Sequence, residues 1–242
     1  MSNKKFQEYL IMKKITAILF FVILAAALSL AGCSDNNTFT EKSYASGDEP
    51  IEKISIDVAD RELEVSASED DRVHIDYFDS ETEFLHITVT EGNELLVKLE
   101  YNKNWTDFIG VKPSGEYRKI QIRVPDNLIS AFSATTTNEN IQLSPLSFTD
   151  NISLNANGGD IVCEKINAGK SISLTAKNGN IRGSVLGGMD DFSITCTIKK
   201  GKSNLPAQKE GGEKTLSADC NNGDINVEFI KQPSSTEQSV AE

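Results

Sequence analysis

Two neighbouring stretches decide the fold: Ile152-Ser-Leu-Asn-Ala-Asn-Gly-Gly-Asp-Ile161 and Ile172-Ser-Leu-Thr-Ala-Lys-Asn-Gly-Asn-Ile181. Each begins with apolar residues at alternate positions, the signature of a half-buried strand. Each then turns on Asn and Gly, which tolerate positive φ, and resumes at an isoleucine nine residues after the first. The two starts lie 20 residues apart. A fixed period near 20 marks stacked repeats, in which a unit buries its apolar face only against its neighbours.

The pattern extends outward to Phe132-Ser133, Phe192-Ser193 and Leu216-Ser217; the first four starts are spaced by 20 residues and the last step is 24. Two places after each start stand Ala134, Leu154, Leu174, Ile194 and Ala218. Four places after stand Thr136, Ala156, Ala176, Cys196 and Cys220, all small. Large and small columns side by side suit a narrow stacked core, where a free cysteine acts as a small hydrophobe. The fourth repeat is degenerate, with Gly201 where the others carry isoleucine, and Lys202 to Lys214 reads as a loop leaving the stack. The expectation is an all-β chain: a short β-solenoid, or single-stranded β-helix-like stack, of about five rungs. Asn-Gly between alternating apolar residues is also the strongest short hairpin signal, so an antiparallel meander or sandwich stays open.

Upstream, alternation recurs at Ile54, Ile56 and Val58, at Val73, Ile75 and Tyr77, at Leu85, Ile87 and Val89, at Leu95, Val97 and Leu99, and at Ile120, Ile122 and Val124. Turns at Asp70-Asp71 and Gly92-Asn93 predict an N-terminal antiparallel β portion.

The extreme N-terminus reads differently. Lys13-Lys14 precedes an uncharged apolar run, Ile15 to Ala31, and the run ends in Leu30-Ala31-Gly32-Cys33. Basic, apolar and small-residue regions in that order describe a secretory signal. The competing reading, an uncleaved transmembrane helix, has only 17 residues where about 20 are needed. Met12 offers an alternative start. The tetrapeptide resembles the bacterial lipobox, which implies a diacylglyceryl group on the Cys33 thiol and cleavage before it. The expected organisation is residues 1–32 as lipoprotein signal peptide, 33–50 as lipidated cysteine and flexible polar tether, 51–231 as the β-repeat domain, and 232–242 as a frayed tail.

The whole chain carries 24 basic and 36 acidic residues; without residues 1–32, which hold four lysines and Glu8, 20 and 35 remain, a net charge of −15. Such a charge repels nucleic-acid phosphates, so no nucleic-acid partner is expected. Beyond Cys33 the odd count of Cys163, Cys196 and Cys220 does not describe a disulfide framework. Cys196 and Cys220 share a column on what the repeats make adjacent rungs, so they read as two packed thiols or, alternatively, as a bonded pair.

With these residues in view, the chain resembles the bacterial putative-adhesin family of unknown function built on Asn-Gly-Asp-Ile repeats. The resemblance rests on Ile54 to Val65, Ile120-Gln-Ile-Arg-Val-Pro125 and the repeats from Phe132 to Val227, together spanning about residues 51 to 230. It implies a β-helix-like surface domain without an established enzymatic role.

No catalytic constellation stands out. His74 and His86 fall opposite the apolar faces of their strands and read as solvent-facing. Asn140, Asp160, Asn180 and Asp224 would line up along one edge of a stack. That row reads first as turn chemistry, second as an oxygen ladder for a hard cation such as calcium, and third as the acid pair Asp160 and Asp224 of a glycan-active β-helix enzyme. No cofactor and no metal is expected. Trp105, Phe108 and Tyr117, in a segment with Gly110, Pro113 and Gly115, are the candidate binding residues; they read either as a site for sugar or protein or as a cap on the open end of the core. The function expected is a lipid-anchored, extracytoplasmic cell-envelope protein whose non-enzymatic β surface serves adhesion or meets an envelope protein or glycan. The alternatives are the glycan-active enzyme and an envelope-stress or regulatory lipoprotein.

Overall fold

The computed structural model describes residues 38–102 and 113–231. Within them eighteen strands, β1 to β18 in chain order, form two facing sheets. Sheet I runs β1 (Thr40–Ala45), β4 (His74–Asp79), β7 (Lys119–Val124), β3 (Glu62–Ala67), β9 (Ile141–Leu143), β12 (Ile161–Ala168), β14 (Ile181–Leu186) and β18 (Ile225–Ile230), with β10 (Ser147–Phe148) beside β12. Sheet II runs β16 (Gln208–Lys209), β15 (Phe192–Lys200), β17 (Lys214–Asn222), β13 (Ser171–Ala176), β11 (Asn151–Ala156), β8 (Ala131–Thr136), β2 (Lys53–Asp57), β6 (Glu94–Tyr101) and β5 (Glu83–Val89).

The repeats form a parallel solenoid. Ile152 lies in register between Phe132 and Ile172, Leu154 between Ala134 and Leu174, and Ala156 between Thr136 and Ala176. In the facing sheet Ile161 lies between Ile141 and Ile181. The Asn-Gly turns are therefore corners that carry the chain from sheet II to sheet I, and the hairpin reading is set aside. Each rung contributes one strand to each sheet, and the inward residues make one continuous core. Its large members include Phe132 and Phe148, stacked with ring centroids 5.3 Å apart. Each isoleucine or leucine so buried contributes about 1.5–3 kcal/mol.

At both ends the order of rungs departs from the order of the chain. β17 and β18 pair directly with β13 and β14, and β15 lies outside β17. The fourth repeat is thus an excursion rather than a rung. Its register is also offset from the columns read in the sequence: Ile194, not Phe192, pairs with Leu216, and Cys196 pairs with Ala218 while Cys220 pairs with Ile198. The residues from Lys202 to Glu213 fold back over this end, where β16 pairs antiparallel with β15.

At the other end, β2 and β3 are parallel members of the stack, held between β8 and β9 on one side and β6 and β7 on the other. At this end the antiparallel pairs are β1 with β4, β4 with β7, and β5 with β6. Gly92-Asn93 does close the β5–β6 hairpin, with Asn93 at φ 58°. Asp70-Asp71 closes none, because β7 lies between β3 and β4. The tether expected over 33–50 is also shorter than the sequence suggested. Thr40–Ala45 is the edge strand β1, held by β4 and by its one buried residue, Tyr44. A strand that buries a single side chain gives almost no hydrophobic alternation to read.

Candidate functional site

The corner row forms as the repeats predict, and its chemistry is structural. The side-chain Oδ1 of Asn140 accepts the Asp160 backbone N–H at 2.9 Å, that of Asp160 accepts the Asn180 N–H at 2.7 Å, and that of Asn180 accepts the Asp224 N–H at 2.9 Å. Asp224 Oδ1 in turn accepts the Lys202 N–H at 2.7 Å. Each Asx oxygen thus holds the next corner. The neighbouring column is glycine because the rungs approach closely: a Cβ on Gly179 would lie 2.1 Å from the Gly159 carbonyl oxygen. Asp160 Oδ2 is also held, by Arg182 at 2.7 Å. Among the described residues, no group of three His, Cys, Asp or Glu side chains could hold a metal ion. Asp160 and Asp224 are two rungs apart with Asn180 between them, about 9.6 Å at the usual strand spacing. One oxygen of each is spent on the ladder and the two carboxyls do not converge, so the acid-pair reading loses the geometry it requires.

The histidines and thiols are placed in equally ordinary settings. His74 Nε2 lies 2.9 Å from Asp70 Oδ1 near the surface, and this contact is the chief cause that holds the Asp70 carboxyl down at about 2. His86 is exposed on β5, cross-strand from Lys98. All three described cysteines are free and buried. Burial pushes the Cys163 thiol up to about 12 and also raises that of Cys220. The two-residue offset between Cys196 and Cys220 puts their Cα atoms about 8 Å apart by strand geometry, beyond disulfide reach. Cys220 Sγ instead donates to the Gly179 carbonyl at 3.3 Å, and Cys196 Sγ meets Ser203 Oγ at 3.2 Å.

Of the residues proposed for binding, Tyr117 stacks on Phe39 with centroids 5.1 Å apart and meets Phe78 edge-on at 5.4 Å. It thus packs against the segment entering β1 and against β4. Trp105 and Phe108 lie outside the described residues, as does Cys33.

The extended surface that stands out was not singled out in the sequence. On the outer face of sheet II, parallel in-register pairing aligns small polar side chains in rows across the strands. One row is Ser55, Ser133, Ser153, Ser173, Ser217 and Thr195; the next is Asp57, Thr135, Asn155, Thr175, Asp219 and Thr197. Neighbours within a row are about 4.8 Å apart. Ser171 Oγ donates to Asn151 Oδ1 at 2.7 Å in a third row. The hydroxyls of Ser153, Ser173 and Ser217 make no hydrogen bond with any described residue. The outer face of sheet I differs, being laced by charge: Lys119 to Glu64 at 2.5 Å, Arg123 to Asp76 at 2.7 Å and Arg182 to Asp160 at 2.7 Å. The signal for the polar face was the serine after each repeat start, which reads as a generic polar position until the register is known.

A family model described as Toastrack DUF4097 matches residues 51–240. The chain belongs to the Toastrack DUF4097 family. The parallel corners and two-sheet stack described above are thus a Toastrack β-solenoid-like fold. No curated protein matches the chain. Among solved structures, a putative cell adhesion protein from Clostridium sporogenes ATCC 15579 is 12% identical, with alignment over 80% of this chain and 100% of that one and a TM-score of 0.53. A putative adhesin from Bacteroides fragilis NCTC 9343 is 11% identical over 79% of this chain and 97% of that one, with a TM-score of 0.34. At such identity the first likeness speaks for the fold alone.

Proposed function

We propose that this Toastrack protein is a lipid-anchored cell-envelope protein that presents the polar outer face of sheet II, without catalysis, for adhesion or partner binding. The observation that carries the reading is that face. A rigid lattice of hydroxyl and amide groups, uncharged over its middle strands, is suited to many weak, repeated hydrogen bonds with an extended partner. It offers neither the acid–base pair nor the enclosed cleft that turnover needs. The adhesion names of the neighbours agree with this reading, and the Leu30-Ala31-Gly32-Cys33 sequence supplies the anchor.

Two experiments test it. Cys33→Ala should abolish fatty-acid labelling in cells; persistent labelling refutes the anchor. Replacing Ser153, Ser173 and Ser217 together by glutamate, at positions facing away from the core, should leave the fold intact and reduce attachment of protein-coated beads to envelope-glycan surfaces. Unchanged attachment removes sheet II as the binding face, and turnover of a glycan panel by the purified protein refutes the non-enzymatic reading.

A further inference from the structure

Every exposed sheet edge must be covered, blunted or used, and the two ends of this stack treat their edges differently. At the end away from the N-terminus both are closed. β16 pairs with the outer side of β15, and the Ala207 carbonyl accepts the Cys196 N–H at 2.9 Å. On β18 the Asn204 side chain acts as a short strand, its Nδ2 donating to the Val227 carbonyl at 2.9 Å and its Oδ1 accepting the Val227 N–H at 3.0 Å. At the N-terminal end, β1 is blunted in the usual way by a charged residue on its inward side, Lys42, two places before Tyr44.

β5 has no such protection over its last three residues. Thr90 and Thr82 bond toward the β6 side, through Thr90 N–H to Glu94 O at 2.9 Å and Asn102 N–H to Thr82 O at 3.0 Å. By the alternation of an antiparallel ladder, Ile87 and Val89 turn their N–H and C=O groups outward. The same outward series is occupied at Glu83, whose carbonyl accepts the Ser80 N–H, and at Leu85, whose N–H is held by Asp79 Oδ1 at 2.8 Å. Ile87 and Val89 have no such partner among the described residues. Their side chains are half-buried and pack on the core. Sheet I has one strand more at this end, since β4 faces β5 and β1 lies beyond β4. Among the described residues, no strand takes the next position in sheet II, beneath β1. A cleft of ≈ 470 Å³ opens near the start of β5, between β1 and the β4–β5 turn, and is lined by Thr40, Lys42, Asp79, Glu81 and Phe84.

We propose that β5 receives one extended strand from a partner protein, carrying apolar residues at alternate positions over Ile87 and Val89 and a basic side chain that reaches Asp79 and Glu81. Main-chain bonds to an open edge give affinity in strand addition, and alternate side chains give selectivity. The two carboxylates against the single Lys42 ammonium set the preference for a basic residue, and the surrounding net charge of −12 favours it at long range. A second copy of this chain does not fit, because pairing β5 with itself under a two-fold axis would drive the copy's β4 into the place of β1. The site is separate from the polar face of sheet II and does not depend on it.

The test uses the mature protein and the synthetic peptide Lys-Thr-Val-Thr-Val-Thr-Lys. Amide exchange at Ile87 and Val89 should slow by about tenfold or more when the peptide is added at millimolar concentration. Val89→Pro removes an outward N–H that the β5–β6 ladder does not use, and should weaken binding by about tenfold. A peptide N-methylated along one edge should not bind, and this control needs no variant to fold. Exchange that is unchanged by peptide, equal binding to the N-methylated peptide, or edge amides already protected in a dimer of the free protein would each overturn the proposal.

Discussion

Arg61 and Glu83 form an ion pair with side chains only 3% and 6% exposed. Arg61 stands in the corner column that Gly159, Gly179 and Gly223 fill in later rungs, and its side chain turns inward to meet Glu83 on β5. Thr136 Oγ1 donates to the Arg61 carbonyl at 2.7 Å, tying the same corner to β8. Removing one partner strands a buried charge, so Arg61→Met should cost about 3–5 kcal/mol, while Arg61→Met with Glu83→Leu should recover much of that loss. Denaturant titration of the three proteins decides the matter; additive losses would show that the pair is not coupled. Cys163 allows a second test at this scale. Its thiol is raised to about 12 in the fold, against about 8.5 in an unfolded chain. The folded state therefore retains its proton where the unfolded state has lost it. This contribution is complete below pH 8.5 and declines as pH rises toward 12. Iodoacetamide at pH 8 should leave Cys163 unmodified in the native protein and modify it in urea, as read by peptide mass mapping. Cys163 could be placed inward from the sequence because alternation sets its face. Arg61 could not, since nothing local distinguishes a buried corner arginine from a solvated one.

At the scale of elements, Asn204 shows how a loop residue substitutes for a strand. Its amide satisfies both the N–H and the C=O of Val227, and Leu205 beside it is buried against the end of the core. Asn204→Ala should cost about 1–3 kcal/mol through the unsatisfied groups. It should also produce concentration-dependent self-association, because a bare apolar-backed edge templates pairing. Sedimentation of the variant over a range of concentrations checks this; a strictly monomeric variant would show that the edge is protected by something else. The strands themselves were legible because alternation is a local property. Their partners were not. Which strand lies beside β13 depends on whether the chain continues outward or returns, and the local pattern of Phe192 to Cys196 is the same in either case.

For the whole molecule, the register makes the fourth repeat a detachable excursion. Lys214 occupies the position of Lys170, since Thr215 pairs with Ser171. Val185 pairs with Ile166, which sets Gly188 against Gly169. Joining Gly188 to Lys214 by removing residues 189–213 should therefore leave an uninterrupted stack. The shortened protein should keep a β spectrum and cooperative melting, with a lower melting temperature because β17 loses β15 and β18 loses the Asn204 side chain from their outer sides. Complete loss of structure would mean that β15 is required to form the last rung. The extra residue in β12, marked by the register shift between Cys163 and Ile166, accounts for the one-residue difference in period that this joining produces. The same scale explains why the polar face of sheet II escaped notice: rows of Ser and Thr become a surface only when parallel register brings residues 20 and 44 positions apart to neighbouring strands.

The sequence by itself determined the strand segments, the inward column of large and small residues, the Asx and glycine corners, and the acidic character of the chain. These follow from side-chain alternation, conformational freedom and charge, which need no neighbours to be read. Only the tertiary structure decided that the corners join two sheets, that β2 and β3 lie inside the stack, that β15 lies outside β17, and that β5 is the last of the described strands in sheet II. Those outcomes depend on which apolar faces find each other across long loops, and many pairings of equally apolar strands satisfy the same local pattern.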